Sequence, residues 1–301
     1  MSSARAVTHA GAVRIALFVT ILWSSSWVLI RWGLDDESLA PITFASLRYG
    51  IAAAILLVWV LRRQRSRRDL AKLGRAFAAR LVALGVLLYA VTQGALFVAL
   101  AEQPAATTSL LLSLTPLFVA GAAALALSEV PTRLQAGGAV LVVTGAGLYF
   151  GGEIGATAAG TIAASVALGA NIASSLLGRD INRSLQLDSV AVTGLSMGAG
   201  AAVLVAVGIG LDGLPAVSLR GWLIIGWLAI VNTALAFTLW NLSLRRLSAI
   251  ESAGMNNTML IQVALLAWLF LGEALGLVGL AGIVLVSAGV YLTQARRGSQ
   301  D

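Results

Sequence analysis

From Val13 onward, apolar runs of about 20 residues follow one another to Thr293, separated by brief polar breaks. Runs of that length cross a bilayer as α-helices, at 1.5 Å of rise per residue. The pattern predicts spans at roughly 13–33, 41–61, 80–101, 104–127, 132–150, 156–177, 188–210, 219–243, 248–271 and 274–293. Ten such helices consume the chain and leave no room for a soluble domain. The polar stretch Met1–Ala12 lacks a cleavable signal pattern, because the run behind it is long enough to span.

The second half of the pattern repeats the first. Thr92–Phe150 moved forward by 144 positions, the distance from Glu129 to Glu273, lies without a gap on Ala236–Gln294. Leu127-Ser-Glu129 falls on Leu271-Gly-Glu273, and Gly138 and Gly145 fall on Gly282 and Gly289. An acidic break followed by two glycines one heptad apart is an internal repeat. Residues 1–150 and 151–301 then hold five helices each. Five is odd, so the second copy enters the membrane from the opposite side. The expected fold class is an all-α integral membrane protein of ten transmembrane helices, built as two inverted-topology repeats. Its pseudo-two-fold axis predicts a cavity near the midplane, between the halves.

Composition agrees with burial in lipid. The 301 residues are 59% hydrophobic and 11% charged, with mean hydropathy +0.92, against about 25% charged in a soluble domain. Cysteine is absent and the one histidine, His9, sits in the polar N-terminal tail. Disulfides, thiolate sites, a Ser-His-Asp arrangement and an intramembrane histidine relay are thereby excluded. No metal and no cofactor is expected, and no catalytic equipment is present for an enzyme. With the N-terminus in the cytoplasm, the cytoplasmic loops collect all Lys and Arg except Arg31, Arg48 and Arg220. Both termini are then cytoplasmic. The arginine run 62–68 becomes a topology anchor on anionic lipid rather than a nucleic-acid patch.

Several stretches resemble the drug/metabolite transporter superfamily, specifically its EamA-type ten-helix members. They are Leu22-Trp-Ser-Ser-Ser-Trp27 with Arg31, close to the family's opening motif but lacking its glycine, and Pro41-Ile-Thr-Phe-Ala-Ser-Leu-Arg48-Tyr49. Pro116, Leu127-Ser-Glu129 and Leu271-Gly-Glu273 complete the set. The resemblance covers essentially the whole chain. It implies a bacterial inner-membrane location and a cavity lined mainly by helices 1, 3, 4, 6, 8 and 9. Among such proteins, the amino-acid exporters are the most similar.

Candidate site residues come from polar and aromatic groups at mid-span. Tyr89, Gln93 and Phe97 lie at i, i+4 and i+8 on one face of the third span. Their repeat partners in the eighth are Thr233, Phe237 and Asn241. An amide facing lipid costs several kcal/mol in unmade hydrogen bonds, so this stripe faces a cavity or another helix. Gln93 and Asn241 are expected on either side of a substrate. Trp23, Ser24 and Trp27 of the first span, Asn171, Ser174 and Ser175 of the sixth, and Asn256 of the ninth join them. Met255, Met259 and Gln262 share a face of the ninth span and serve either adaptable binding or plain packing. Three further residues are candidates for gating or coupling. Pro116 breaks a mid-span hydrogen bond. Arg48 is a charge inside a span, expected to pair with Asp35, Asp36 or Glu37 as an outer latch or a structural ion pair. Glu251 is the carboxylate best placed for proton coupling, unless it snorkels to Arg245 and Arg246.

Nearly uncharged spans suit a small neutral or zwitterionic substrate, amino acids foremost, and argue against phosphates, which want arginine or lysine. The expected function is export of such metabolites by alternating access, the alternative being a proton-coupled multidrug or metabolite efflux carrier. The expected partners are the small-molecule substrate and lipid, with the chain as a monomer or homodimer.

Overall fold

In a computed structural model of the chain, the residues described are 8–37, 39–63, 73–103, 108, 111–112, 115, 118, 132–149, 157–213, 215–256, 258–271 and 277–293. Regular structure among them is entirely helical. Among the described residues, six helices are long and apolar enough to cross a membrane: His9–Ile30, Pro41–Arg62, Arg75–Ala99, Ala158–Arg183, Ser189–Leu211 and Leu219–Ser243. They fall on the first, second, third, sixth, seventh and eighth predicted spans. Shorter helices occupy the fifth span (Arg133–Tyr149), the ninth (Ala249–Asn256 and Thr258–Leu271) and the tenth (Leu277–Thr293). Of the fourth, only Thr108, Leu111, Leu112, Thr115 and Phe118 are described. Pro116, Glu129 and Glu273 lie outside the described residues, as do the side chains of Asp35 and Asp36.

The helices begin where local chemistry satisfies their first N–H groups. Pro41, with no N–H to satisfy, opens the second helix. Thr157, Asp188 and Ser218 accept the N–H of Gly160, Ala191 and Gly221 through their side chains, capping the sixth, seventh and eighth. Gly213, at φ 70°, closes the seventh helix in a conformation that a side chain would strain.

Among the described residues, two helices are not α-helical throughout. The third passes from Arg75–Gly85 through a π-helical segment, Val86–Thr92, into Gln93–Glu102. The eighth does the same, from Leu219–Ala229 through Ile230–Leu235 into Ala236–Ser243. Val86 and Ile230, where the two wide segments begin, are separated by the repeat distance of the sequence. Interrupting the i→i−4 ladder turns carbonyls toward side chains. The Thr92 hydroxyl donates to the Leu87 carbonyl at 2.7 Å, and the Asn232 carbonyl accepts from Arg48.

Small residues set the closest helix contacts. A methyl group on Gly145 would sit 2.7 Å from the Gly282 carbonyl oxygen; one on Gly289 would sit 2.6 Å from that of Gly138. The fifth and tenth helices therefore touch backbone to backbone, through the same four glycines that mark the repeat in sequence. The first and ninth are stapled by hydroxyls and an amide. Ser24 Oγ donates to Gln262 Oε1 at 2.8 Å, while Gln262 Nε2 donates to Thr20 Oγ1 at 2.9 Å. Large apolar side chains such as Ile21, Leu211, Leu223 and Leu277 lie exposed on the outside, as a lipid-facing surface requires and a water-facing one does not tolerate.

Candidate substrate cavity

The helices enclose a cavity of about 740 Å³, within the range of small-molecule sites. Its walls come from the first, third, fourth, sixth, eighth and ninth spans, joined by Pro41, Arg48 and Tyr49 of the second. Seven pairs of lining residues are related by the sequence repeat: Trp27 and Asn171, Ile30 and Ser174, Gln93 and Phe237, Leu96 and Trp240, Phe97 and Asn241, Leu112 and Asn256, Thr115 and Met259. The cavity thus uses corresponding positions of both halves, although the side chains within a pair differ.

One wall is a chain of aromatic rings. Trp23 lies 4.8 Å from Phe237 and 5.1 Å from Trp240, and Phe237 lies 5.0 Å from Tyr89. Tyr49 continues the chain at 5.8 Å from Tyr89. Such tilted and edge contacts are worth about 0.5–1.5 kcal/mol each beyond burial, so the wall is rigid. Tyr89 itself is fully buried behind Phe237 and does not line the cavity. Trp240 and Tyr49 were not among the sequence candidates. Trp240 was nonetheless legible: with Phe237, Asn241 and Leu244 it forms an i, i+3, i+4, i+7 stripe.

The polar candidates divide by what their hydrogen-bonding groups already do. The side-chain amides of Gln93 and Asn171 line the cavity and make no hydrogen bond to another described residue. Asn256 lines it too, and its Oδ1 is buried with no partner among the described residues. Asn241 differs: its Oδ1 accepts from Asn182 at 2.8 Å, and its Nδ2 donates to Thr193 at 2.8 Å. Its amide is consumed in a buried network behind the wall. Ser174 lines the cavity while donating to the Asn171 carbonyl at 3.0 Å. Ser24 is not on the wall, because its hydroxyl is turned to Gln262. Met255 is buried in packing, whereas Met259 reaches the cavity.

Among the described residues, Glu37 does not meet Arg48 and neither Arg245 nor Arg246 meets Glu251; the side chains of Asp35 and Asp36 lie outside them. Arg48 is 4% exposed. Its Nε donates to Thr233 Oγ1 at 2.7 Å and its Nη2 to the Asn232 carbonyl at 3.4 Å, tying the second helix to the eighth. Glu37 accepts instead from the Ser218 hydroxyl, since Ser218 caps the eighth helix beside it. Glu251 does not snorkel to Arg245 or Arg246. It closes a capping box, with Ser248 N donating to Glu251 Oε2 at 2.7 Å and Glu251 N donating to Ser248 Oγ at 3.1 Å. Its other oxygen lies 3.1 Å from His9 Nε2, so the histidine of the tail does meet a carboxylate, away from the cavity. Nearby, burial lowers the Arg245 pKa, with Asp188 opposing the shift, while Arg245 Nη2 donates to the Leu187 carbonyl at 2.6 Å.

Among the described residues no group of histidine, cysteine or carboxylate side chains is placed to hold a metal. Among the described residues the cavity wall carries neutral amides and indoles around one guanidinium, that of Arg48.

Comparison with known proteins places this geometry. A relative from Streptantibioticus cattleyicolor, described as a probable terminal-alkyne amino-acid exporter, is 29% identical over 295 residues, covering 95% of this chain and 94% of its own. A crystal structure 19% identical in sequence superposes with a TM-score of 0.77 over 95% of this chain and 98% of the other, a likeness of fold alone. The profile of the EamA-like transporter family matches twice, at residues 11–151 and 154–294. The two matches together cover nearly the whole chain, which belongs to the EamA-like transporter family.

Proposed function

We propose that the protein exports small neutral or zwitterionic metabolites, amino acids foremost, across the bacterial inner membrane by alternating access through this cavity. In this reading residues 1–150 and 151–301 are five-helix repeats of opposite orientation, with both termini cytoplasmic. The observation that carries it is the cavity wall: seven repeat-related pairs enclose it, and the amides of Gln93 and Asn171 are free to meet a ligand. Reciprocal glycine contacts between the fifth and tenth helices and the paired π segments support the repeat. Trp23, Trp27, Phe97, Phe237 and Trp240 supply apolar walls for varied side chains. The relative's amino-acid substrate supports the substrate class.

Facilitated movement down the substrate gradient fits better than proton exchange. Among the described residues no carboxylate lines the cavity, and Glu251 is engaged as a helix cap. A panel of radiolabelled amino acids tests the function in proteoliposomes, against empty vesicles. Saturable uptake of at least one member is expected; no uptake of any above the empty vesicles overturns the assignment.

A further inference from the structure

We propose that Arg48 is the anchor for the substrate's carboxylate, so that the cavity selects monocarboxylates and treats the α-ammonium as secondary. This rests on the amino-acid reading of the cavity and sharpens it. Arg48 is the one charged residue on the described wall. A guanidinium stays protonated and offers five N–H donors in a planar fork. Among the described residues its partners are a hydroxyl, a backbone carbonyl and, 5.2 Å away, the face of Tyr49. All three are neutral. No described acid lines the cavity: Glu37 takes Ser218, Asp180 takes Arg80, Asp188 takes the Ala191 N–H and Glu251 takes Ser248 and His9.

A buried cation without a counter-ion is costly, and a carboxylate docked in the fork removes that cost while making charge-assisted, bidentate hydrogen bonds. Thr233 and the Asn232 carbonyl hold the guanidinium in place for it. The opposite end of a zwitterion meets a different environment. The side-chain oxygens of Gln93, Asn171 and Asn256 and the indoles of Trp27 and Trp240 offer dipoles and ring faces but no negative charge. An ammonium is accommodated there without being neutralised. Losing the carboxylate therefore weakens binding far more than losing the amine. One guanidinium matches one carboxylate and leaves a dianionic phosphate half unpaired, which keeps the site apart from phosphate-ester carriers.

The test compares L-leucine, leucinamide and 4-methylpentanoate for thermal stabilisation of the detergent-purified protein, and as competitors of labelled leucine in proteoliposomes. The amide lacks the carboxylate and the acid lacks the amine. Leucinamide is expected to bind about ten- to a hundred-fold more weakly than leucine, and 4-methylpentanoate within about five-fold of it. Arg48→Gln, checked for monodisperse elution and unchanged helix content, should bind the amide and the amino acid alike, whereas Arg48→Lys keeps the charge and part of the preference but loses the bidentate fork. Equal binding of leucinamide and leucine to the unaltered protein overturns the assignment, whether or not the variants fold. Leucine transport that leucinamide inhibits equally leaves the transport reading standing and removes this one. Carboxylate-selective binding without transport does the reverse, and no binding of any of the three compounds removes this assignment and leaves the transport reading to the amino-acid panel.

Discussion

The third and eighth helices carry the same backbone device with opposite chemistry behind it. Each widens into a π-helical segment at the corresponding point of its repeat, Val86–Thr92 in one and Ile230–Leu235 in the other. Beyond the segment, the third helix presents Gln93 with its amide free. At the same position the eighth presents Phe237, packed into the aromatic wall. One turn further on, the third shows Phe97 and the eighth shows Asn241, whose amide is committed to Asn182 and Thr193. A duplicated scaffold has thus been kept in its backbone and divided in its side chains. At these two positions the third helix leaves an amide open to the cavity, while the eighth stiffens the cavity wall.

The sharpest way to break this comparison is to remove the π segments one at a time. Deleting Ala90, or Ala234, closes the wide turn to regular α-helix and shifts everything after it against its neighbours. The first deletion swings Gln93 away from the wall, with Leu96 and Phe97. Uptake should fall by roughly a hundred-fold or more, the worth of two charge-assisted hydrogen bonds. Deletion of Ala234 should abolish uptake and also lower the melting temperature, because it tears Asn241 from Asn182 and Thr193. Melting curves in detergent and proteoliposome uptake separate the two. Undiminished uptake by the Ala90 deletion would falsify a functional role for the third helix's wide turn.

A smaller effect sharpens the same contrast at single side chains. Gln93→Ala removes a ligand contact and no protein contact, so apparent affinity should weaken roughly ten-fold with stability unchanged. Asn241→Ala leaves a buried amide and a hydroxyl without their partner, costing about 1–3 kcal/mol of stability, with a lesser effect on affinity. Titration of substrate against each folded variant, beside its melting curve, reads both quantities. If Gln93→Ala melts early and binds normally, the roles have been assigned the wrong way round.

How much of this was legible depends on the range of the interaction involved. Six span positions and the duplication were legible in hydrophobic runs and in Gly138, Gly145, Gly282 and Gly289, because lipid burial and close helix contact constrain residue type directly. Asn171, Gln93 and Asn256 were legible as cavity residues because an amide in lipid is too costly. The competition among polar groups was not. Ser24 and Asn241 satisfy the same rule by bonding to Gln262 and Asn182, partners 238 and 59 positions away in the chain. The π segments left no sequence signal, since a wide turn uses the same apolar residues as a regular one. Ser248-Ala-Ile-Glu251 was readable as a capping box, a role that weighing Glu251 between proton coupling and snorkelling passed over.

That capping box sets the smallest expected effect, and it decides whether proton coupling belongs in the comparison at all. Glutamine fills the third position of a capping box as well as glutamate does, and it cannot carry a proton. Glu251→Gln should therefore keep both the melting temperature and the transport rate. Glu251→Ala should lose up to about 1 kcal/mol of stability, and Ser248→Ala should lose a similar amount, since each removes half of one reciprocal pair. His9→Ala should cost less than either, about 0.5 kcal/mol or under, because the histidine is partly exposed and its ion pair is screened. The decisive measurement is substrate accumulation under an imposed pH gradient, for the unaltered protein and for Glu251→Gln. Equal, gradient-independent uptake leaves Glu251 as the start of a helix. Accumulation that follows the gradient and vanishes in Glu251→Gln makes it a proton carrier outside the cavity, and facilitated diffusion is then the wrong mechanism.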